Sequence, residues 1–307
     1  MNIGQITNQI VLMFCLMLVG VVINKFKFMH AQTSNDLTNI LLYVVSPCLI
    51  INAFEQKYSS SRIKQFILVA IGILIFYIVA IIVSKLIFGR LKNDNLRRIT
   101  QYGSVYSNAG FMGIPLTSAL FGSTGVFFAV VSLAGFNIFS WTHGVSLFRS
   151  DEERIDYKQV LLNPNLFAIV IGLIMFLFSL RLPGTLNQVV KYVGSINTPL
   201  SMIVIGNSLA NIKLSKDMLN KNLGLTLILR NLIFPILMIF MLKFLGVTGI
   251  AYYTTIIMTA CPVAGIVVLF TLQAHGDAGP AISLMSISTI LSLITIPLVF
   301  AVGGMVL

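Results

Sequence analysis

Two apolar segments of this 307-residue chain are interrupted in the same way, 152 residues apart. Gly113-Ile114-Pro115 recurs as Gly265-Ile266-Val267, and Pro47 recurs as Pro199. A helix that breaks inside a lipid bilayer leaves backbone N–H and C=O groups without partners. Such a break is tolerated only where protein or a water-filled cavity surrounds it. Paired interruptions in the two halves of a membrane chain therefore predict a transporter with its substrate site at the breaks.

The composition indicates a membrane protein, because 57% of the residues are hydrophobic and 9% are charged, whereas a soluble domain has about 25% charged residues. A spanning helix needs about 20 apolar residues. We predict an all-α integral membrane protein, a single transporter domain of ten transmembrane helices. The predicted spans are Gln5 to Ile23, Leu37 to Phe54, Phe66 to Phe88, Thr100 to Leu120, Val126 to Phe148, Leu166 to Leu180, Val189 to Leu209, Leu223 to Phe244, Tyr252 to Gln273 and Ala281 to Val306.

Lysine and arginine residues predict the orientation, because cytoplasmic loops are enriched in them. Thirteen lie after odd-numbered spans and six after even-numbered spans. We therefore expect the odd-numbered loops to be cytoplasmic and both termini to lie outside the cell membrane. Since each half has five spans, the second enters from the opposite side. The predicted parts are a first inverted repeat (1–148), a cytoplasmic linker (149–163) and a second inverted repeat (164–307). The net charge of +11 is then mainly a topology signal, and no nucleic-acid partner is expected.

The interruptions also predict what binds there. Proline removes an amide donor, and glycine permits unusual dihedral angles and a close backbone approach. Two half-helices joined by a short extended link would turn their N-termini, which carry partial positive charge, toward an anion. The alternative is that the breaks are ordinary kinks, since glycine and proline are frequent in membrane helices. The predicted substrate-binding residues at the breaks are Asn108, Ala109, Gly110, Gly113, Ile114, Pro115, Cys261, Pro262, Val263, Ala264 and Gly265.

The stretch from Asn108 to Leu116, Asn-Ala-Gly-Phe-Met-Gly-Ile-Pro-Leu, resembles the fourth-helix motif of the auxin efflux carrier family. That family includes plant auxin exporters and bacterial permeases for malate and malonate. Ser46-Pro47, Asn163-Pro164 and the ninth-span break support the resemblance. It implies two inverted five-helix repeats, with helices four and nine crossing at their breaks. It also implies a scaffold of spans one, two, six and seven, a mobile transport domain that moves like an elevator, and a homodimer.

Asn108 is the first candidate site residue. The resemblance implies that this asparagine contacts a substrate carboxylate, and an amide can donate without the desolvation cost of an ion. The alternative is that Asn108 caps the half-helix that follows it; both could hold.

Arg230 is the basic residue that lies well inside an apolar run, and a charge at that depth is a functional candidate by default. It could meet an organic anion. Alternatively, its side chain could reach the cytoplasmic interface or pair with a backbone carbonyl. His143, His275 and Asp277 are candidates for coupling transport to a proton, because each could titrate.

None of the acidic residues lies in the middle of a predicted span, which disfavours a dedicated cation carrier. They are Asp36, Glu55, Asp94, Asp151, Glu152, Glu153, Asp156, Asp217 and Asp277. The chain also lacks a His-Glu-x-x-His motif and a glycine-rich phosphate loop. We therefore expect no enzymatic activity, no metal and no cofactor.

The sequence thus predicts a permease in the lipid bilayer for a small organic anion, a dicarboxylate such as malate or malonate. One alternative is an efflux carrier for aromatic acids of the auxin type. Another is a sensor that binds the same acids without moving them.

Overall fold

The computed structural model describes residues 3–149, 163–210 and 220–307, and these ranges are helical with no β-strand. Short π-helical turns at Leu41–Val45, Ala109–Gly113, Ser140–Gly144 and Leu229–Ile233 interrupt the α-helices. The α-helices are α1 (Ile3–Lys25), α2 (Ala31–Ile40), α3 (Ser46–Phe54), α4 (Ser60–Phe88), α5 (Asp94–Val105), α6 (Ile114–Phe139), α7 (Pro164–Leu177), α8 (Gly184–Ser195), α9 (Asn197–Ala210), α10 (Lys221–Ile228), α11 (Phe234–Phe244), α12 (Gly249–Ala260), α13 (Ile266–Gln273) and α14 (Gly279–Val306).

Seven helical segments in the described ranges are long and apolar enough to cross a membrane. They are Thr7–Lys25, Gln32–Phe54, Ser60–Phe88, Ala109–Gly144, Gly184–Ala210, Lys221–Phe244 and Gly279–Val306, and α7 is a shorter apolar helix. Large apolar side chains stay exposed along α4, at Ile67, Leu74 and Leu86 for example. An outer surface of this kind suits hydrocarbon. The prediction of an all-α integral membrane protein is confirmed.

Polar side chains begin several of these helices. The Ser59 hydroxyl accepts from the backbone N–H of Arg62 at the start of α4. The Asn163 side chain accepts from the N–H of Asn165 over 2.9 Å at the start of α7. Pro164 lies in the first turn of α7, where a missing amide is not needed for a hydrogen bond. The Asn163-Pro164 pair thus starts a helix.

Gly122 divides the long helix α6 into two parts. Its φ of 59° and ψ of −148° are not helical, and glycine adopts a positive φ without a steric penalty. Gly122 lies between the predicted ends of spans four and five. The helix is therefore interrupted where the sequence predicts a loop.

The extended link in the fourth span lies earlier than predicted. Residues 106–108 are non-helical, whereas Gly113, Ile114 and Pro115 lie within helical turns. The π-helical turn Ala109–Gly113 widens the backbone just before Pro115, which accommodates a residue without an amide hydrogen. In the ninth span the link covers residues 261–265, as the sequence predicts.

The helices pack in two groups that meet where α1, α3 and α9 contact α6. In the first, α1 lies along α9, and α3 packs on α7 and α8. In the second, α12 packs on α6, α11 and α14, and α4 packs on α5 and α6. Residues 150–162 of the predicted linker lie outside the described residues.

Candidate functional site

The two helix breaks cross and pair with each other through their backbones. The N–H of Asn108 donates to the carbonyl of Pro262 over 2.7 Å, and the N–H of Ala264 donates to the carbonyl of Tyr106 over 3.0 Å. Ser107 and Val263 face each other in this antiparallel bridge. Each break thus supplies partners for backbone groups that the other leaves unpaired. The C-terminal ends of α5 and α12 and the N-terminal ends of the following half-helices meet here.

The Asn108 side chain caps the half-helix that starts at Ala109. Its Oδ1 accepts from the N–H of Phe111 over 3.3 Å, so the amide oxygen is committed to the cap. Its NH₂ group has no hydrogen-bond partner in the described part of the chain, and the residue is partly exposed. The capping role of Asn108 is therefore confirmed. The cap also fixes the orientation of the remaining donor, the side-chain NH₂ group. A contact with a substrate carboxylate stays a prediction.

The other predicted substrate-binding residues form two sets, one partly exposed and one buried. Gly110 and Gly265 are partly exposed, like Asn108. The remaining ones are buried in the wall of the crossing: Ala109, Gly113, Ile114, Pro115, Cys261, Pro262, Val263 and Ala264. A Cβ at Gly113 would overlap the Met258 side chain, whereas a Cβ at Gly110 would lie 3.6 Å from Leu133. The first turn after Asn108 therefore packs closely on the end of α12.

Arg230 is fully buried, and its guanidinium contacts both half-helices that end at the crossing. Nη1 donates to the carbonyls of Val105 (2.7 Å) and Ser104 (3.4 Å) at the end of α5. Nη2 donates to the carbonyl of Thr259 at the end of α12. Nε–H has no partner among the described residues. The structure therefore shows Arg230 paired with backbone carbonyls, which is one of the roles that the sequence suggested. A role as counter-charge to the substrate stays a prediction.

A second buried polar contact was not predicted from the sequence. The Ser288 hydroxyl accepts from the backbone N–H of Val263 over 3.0 Å and donates to Asn231 Oδ1 over 2.7 Å. Asn231 follows Arg230 in the π-helical turn Leu229–Ile233. The feature of the sequence that could have indicated this contact is the series of serine and threonine residues along the apolar helix α14. This cluster ties the ninth-span link to α14 and to the turn that carries Arg230.

The candidates for proton coupling lie in two different environments. His143 Nδ1 is 2.8 Å from the Tyr106 hydroxyl, which donates to the carbonyl of Phe139. Because the hydroxyl has one hydrogen, both bonds form when His143 donates through Nδ1. His275 and Asp277 are exposed in the loop after α13, where Asp277 accepts from the N–H of Gly279. His143 alone among them contacts a residue of the crossing, and their coupling roles stay predictions.

A polar cavity of about 230 Å³ lies where the ends of several helices meet, and it too was not predicted. Its lining residues are Asn52, Glu55, Ser123, Arg181, Asn187 and Lys191. Glu55 Oε1 accepts from the N–H of Leu182 (2.9 Å) and from Asn187 Nδ2 (2.8 Å). Neither Arg181 nor Lys191 forms an ion pair with a described residue. The cavity therefore has two cationic side chains beside one carboxylate that is already hydrogen-bonded.

Comparison with known proteins identifies the class of the molecule. Residues 5–300 match the family described as membrane transport protein, so the chain belongs to this family, the auxin efflux carrier family that the fourth-span motif resembles. An uncharacterized transporter of Methanothermobacter thermautotrophicus is 24% identical over 95% of this chain and 96% of its own length. An uncharacterized transporter of Methanocaldococcus jannaschii is 25% identical over 66% of this chain and 68% of its own length. The chain is thus a multi-pass membrane transporter, and the names of its family and of these relatives describe transport.

Proposed function

We propose that this protein carries a small organic anion, a dicarboxylate such as malate or malonate, by elevator-like alternating access. The observation that carries the proposal is the Asn108 amide, whose NH₂ group is unpaired among the described residues while its oxygen is held in the cap. This donor lies beside the paired backbones of residues 106–108 and 262–264. A carboxylate there would meet fixed donors and the positive end of a helix.

The charges around the breaks favour an anion over a cation. Neither interruption contains an aspartate or glutamate, and the partly exposed residues of the predicted site there are Asn108 and two glycines. A carboxylate in a site with few solvating waters needs donors that are already oriented. The crossing offers such oriented donors, and neither interruption contains an acidic group that would repel the substrate.

Hydrogen bonds between distant segments support ten crossings with both termini on the same side, and the distribution of lysine and arginine favours the outside for that side. Tyr58 pairs with Ser179, and Gln65 with Thr248; each pair joins segments at or just after the ends of even-numbered predicted spans. Asn24 pairs with Asn207, and Asn95 with Asp277; each pair joins segments at the ends of odd-numbered predicted spans. Pairs of this kind are required if the loops alternate between two sides of a membrane. We propose an inverted repeat on this basis.

The two packing groups support the elevator. The group of α1, α3, α7, α8 and α9 corresponds to spans one, two, six and seven, which the family resemblance assigns to a scaffold. The crossing belongs to the other group. A 3.4 Å hydrogen bond from the Thr198 hydroxyl to the carbonyl of Pro115 joins the groups beside the fourth-span break. Sliding along this contact would expose the crossing first to one side and then to the other.

The polar cavity suits the outer approach to this site. Glu55, Ser123 and Arg181 follow the second, fourth and sixth predicted spans and would all face outward. Arg181 and Lys191 would attract an anion, and a volume of about 230 Å³ is below the range typical of drug-sized ligands. We propose that small anions pass through it.

The test is uptake of labelled malate, malonate and indole-3-acetate into liposomes that contain the purified protein, with Asn108→Ala beside the wild type. We expect saturable uptake of the dicarboxylates that is lost in the variant. Preferred transport of indole-3-acetate would favour an aromatic acid carrier. Binding without uptake under every imposed gradient would favour a sensor and contradict the proposal.

A further inference from the structure

Arg230 occupies a position that differs from that of a substrate ligand. Its guanidinium lies among three carbonyls, those of Ser104, Val105 and Thr259, which belong to the C-terminal ends of both half-helices that enter the crossing. The side chain has no exposed surface. No carboxylate of the described residues forms an ion pair with it. The backbone carbonyls are therefore its compensating groups.

The C-terminal end of a helix carries partial negative charge, because its last carbonyls lack partners within the helix. Where two such ends meet inside a membrane, they make a site for a cation. In transporters with broken helices, carbonyls of this kind coordinate a coupling sodium ion or proton. In this protein the guanidinium of Arg230 is already hydrogen-bonded to these carbonyls. Arg230 is delivered by the π-helical turn Leu229–Ile233, and turns of this type are frequent at functional sites.

We propose that Arg230 is a built-in cation that takes the place of a coupling sodium ion at the crossing. It neutralises the two negative helix ends, so the positive ends beside Asn108 and Gly265 remain for the anion. Substrate is then carried without sodium. Arg230 acts here as a positioning residue through Ser104, Val105 and Thr259. The inference rests on the proposed anion transport for its consequence in uptake, although its effect on stability does not depend on transport.

Two readouts on the full-length protein test the proposal. The first is malonate uptake by the wild type in liposomes, with sodium replaced by N-methyl-D-glucamine on both sides; we expect less than a twofold change. The second is the thermal unfolding midpoint in the same two salts, for the wild type, Arg230→Met and Arg230→Lys. We expect no sodium effect in the wild type. In Arg230→Met we expect a lower midpoint that rises with sodium or with millimolar guanidinium, because the vacated carbonyls can accept a free cation. Arg230→Lys should lie between the two.

Lys243→Met is the matched control, since Lys243 Nζ donates to the carbonyl of Val306 over 2.6 Å at an exposed position further along the same span. Its midpoint should not respond to sodium or guanidinium. The proposal is overturned if wild-type uptake falls more than tenfold without sodium, or if Arg230→Met keeps wild-type stability and uptake. If Arg230→Met does not fold, the effect of sodium on malonate uptake by the wild type decides whether the proposal holds. If no acid is taken up, the proposed function fails, and the response of the midpoint to cations still decides the role of Arg230.

Discussion

The backbone N–H of Asn108 donates to the carbonyl of Pro262 over 2.7 Å, so two residues 154 positions apart in the sequence fix each other at the crossing of two broken helices. The same asparagine caps the half-helix that follows. One residue therefore fastens the crossing, starts a helix and presents an amide donor that no described residue pairs with.

The Ser288 hydroxyl stabilises the crossing from α14. Replacing Ser288 with alanine leaves the buried N–H of Val263 without its acceptor, which costs about 1–3 kcal/mol. We expect a lower thermal unfolding midpoint in detergent and weaker malonate uptake. Ser286→Ala is the control, because this equally buried serine donates only to Ile282 of its own helix. Equal midpoints for the two variants would show that the Ser288 contact does not support the crossing.

Gly206 allows α1 and α9 to touch through their backbones. A Cβ at Gly206 would overlap the carbonyl of Met17, and a Cβ at Gly20 would overlap the carbonyl of Ile203. Small residues allow this close approach of membrane helices. We expect Gly206→Ala to lower the unfolding midpoint strongly, since backbone cannot move aside as a side chain can. Gly224→Ala should not, because a Cβ there meets nothing within 4 Å. An unchanged midpoint in Gly206→Ala would contradict this packing.

The cations of the polar cavity should affect capture of the substrate. We expect the double variant Arg181→Gln with Lys191→Gln to raise the KM for malonate several-fold at low salt and to leave the maximal rate almost unchanged. The difference from wild type should shrink as salt is added, because exposed charges are screened. Lys64→Gln, at an exposed position near the start of α4, serves as the control. A similar change in KM for the control would indicate a general surface effect instead of a path through the cavity.

His143 and His275 can be separated by the pH dependence of uptake. Histidine is the side chain that ordinarily titrates between pH 5 and 8, and His143 contacts Tyr106 at the crossing. If transport is coupled to a proton through His143, His143→Gln should flatten the pH profile of malonate uptake over this range. His275→Gln, in an exposed loop, should retain the wild-type profile. An unaltered profile in His143→Gln would remove His143 from the candidates for coupling.

Local patterns in the sequence predicted much of this architecture. Long apolar runs predicted membrane helices, and the two glycines and the proline between Gly110 and Pro115 predicted the broken fourth span. The prediction from Gly113 to Pro115 placed the link about two turns too late, because the π-helical turn before Pro115 accommodates the missing amide hydrogen. The partners of Arg230 lie 125 and 29 positions away along the chain. Contacts at such separations arise from the packing of whole helices, and the same holds for Ser288 and for the polar cavity.

If an organic anion binds at the crossing through Asn108, purified protein should bind labelled malonate at equilibrium, and the Asn108 side chain should set its affinity. Asn108→Asp keeps an oxygen acceptor for the cap and replaces the free donor with a carboxylate. We predict saturable binding by the wild type, and binding reduced at least tenfold in Asn108→Asp with little change in the unfolding midpoint. Unchanged malonate affinity in a folded Asn108→Asp protein would contradict the account.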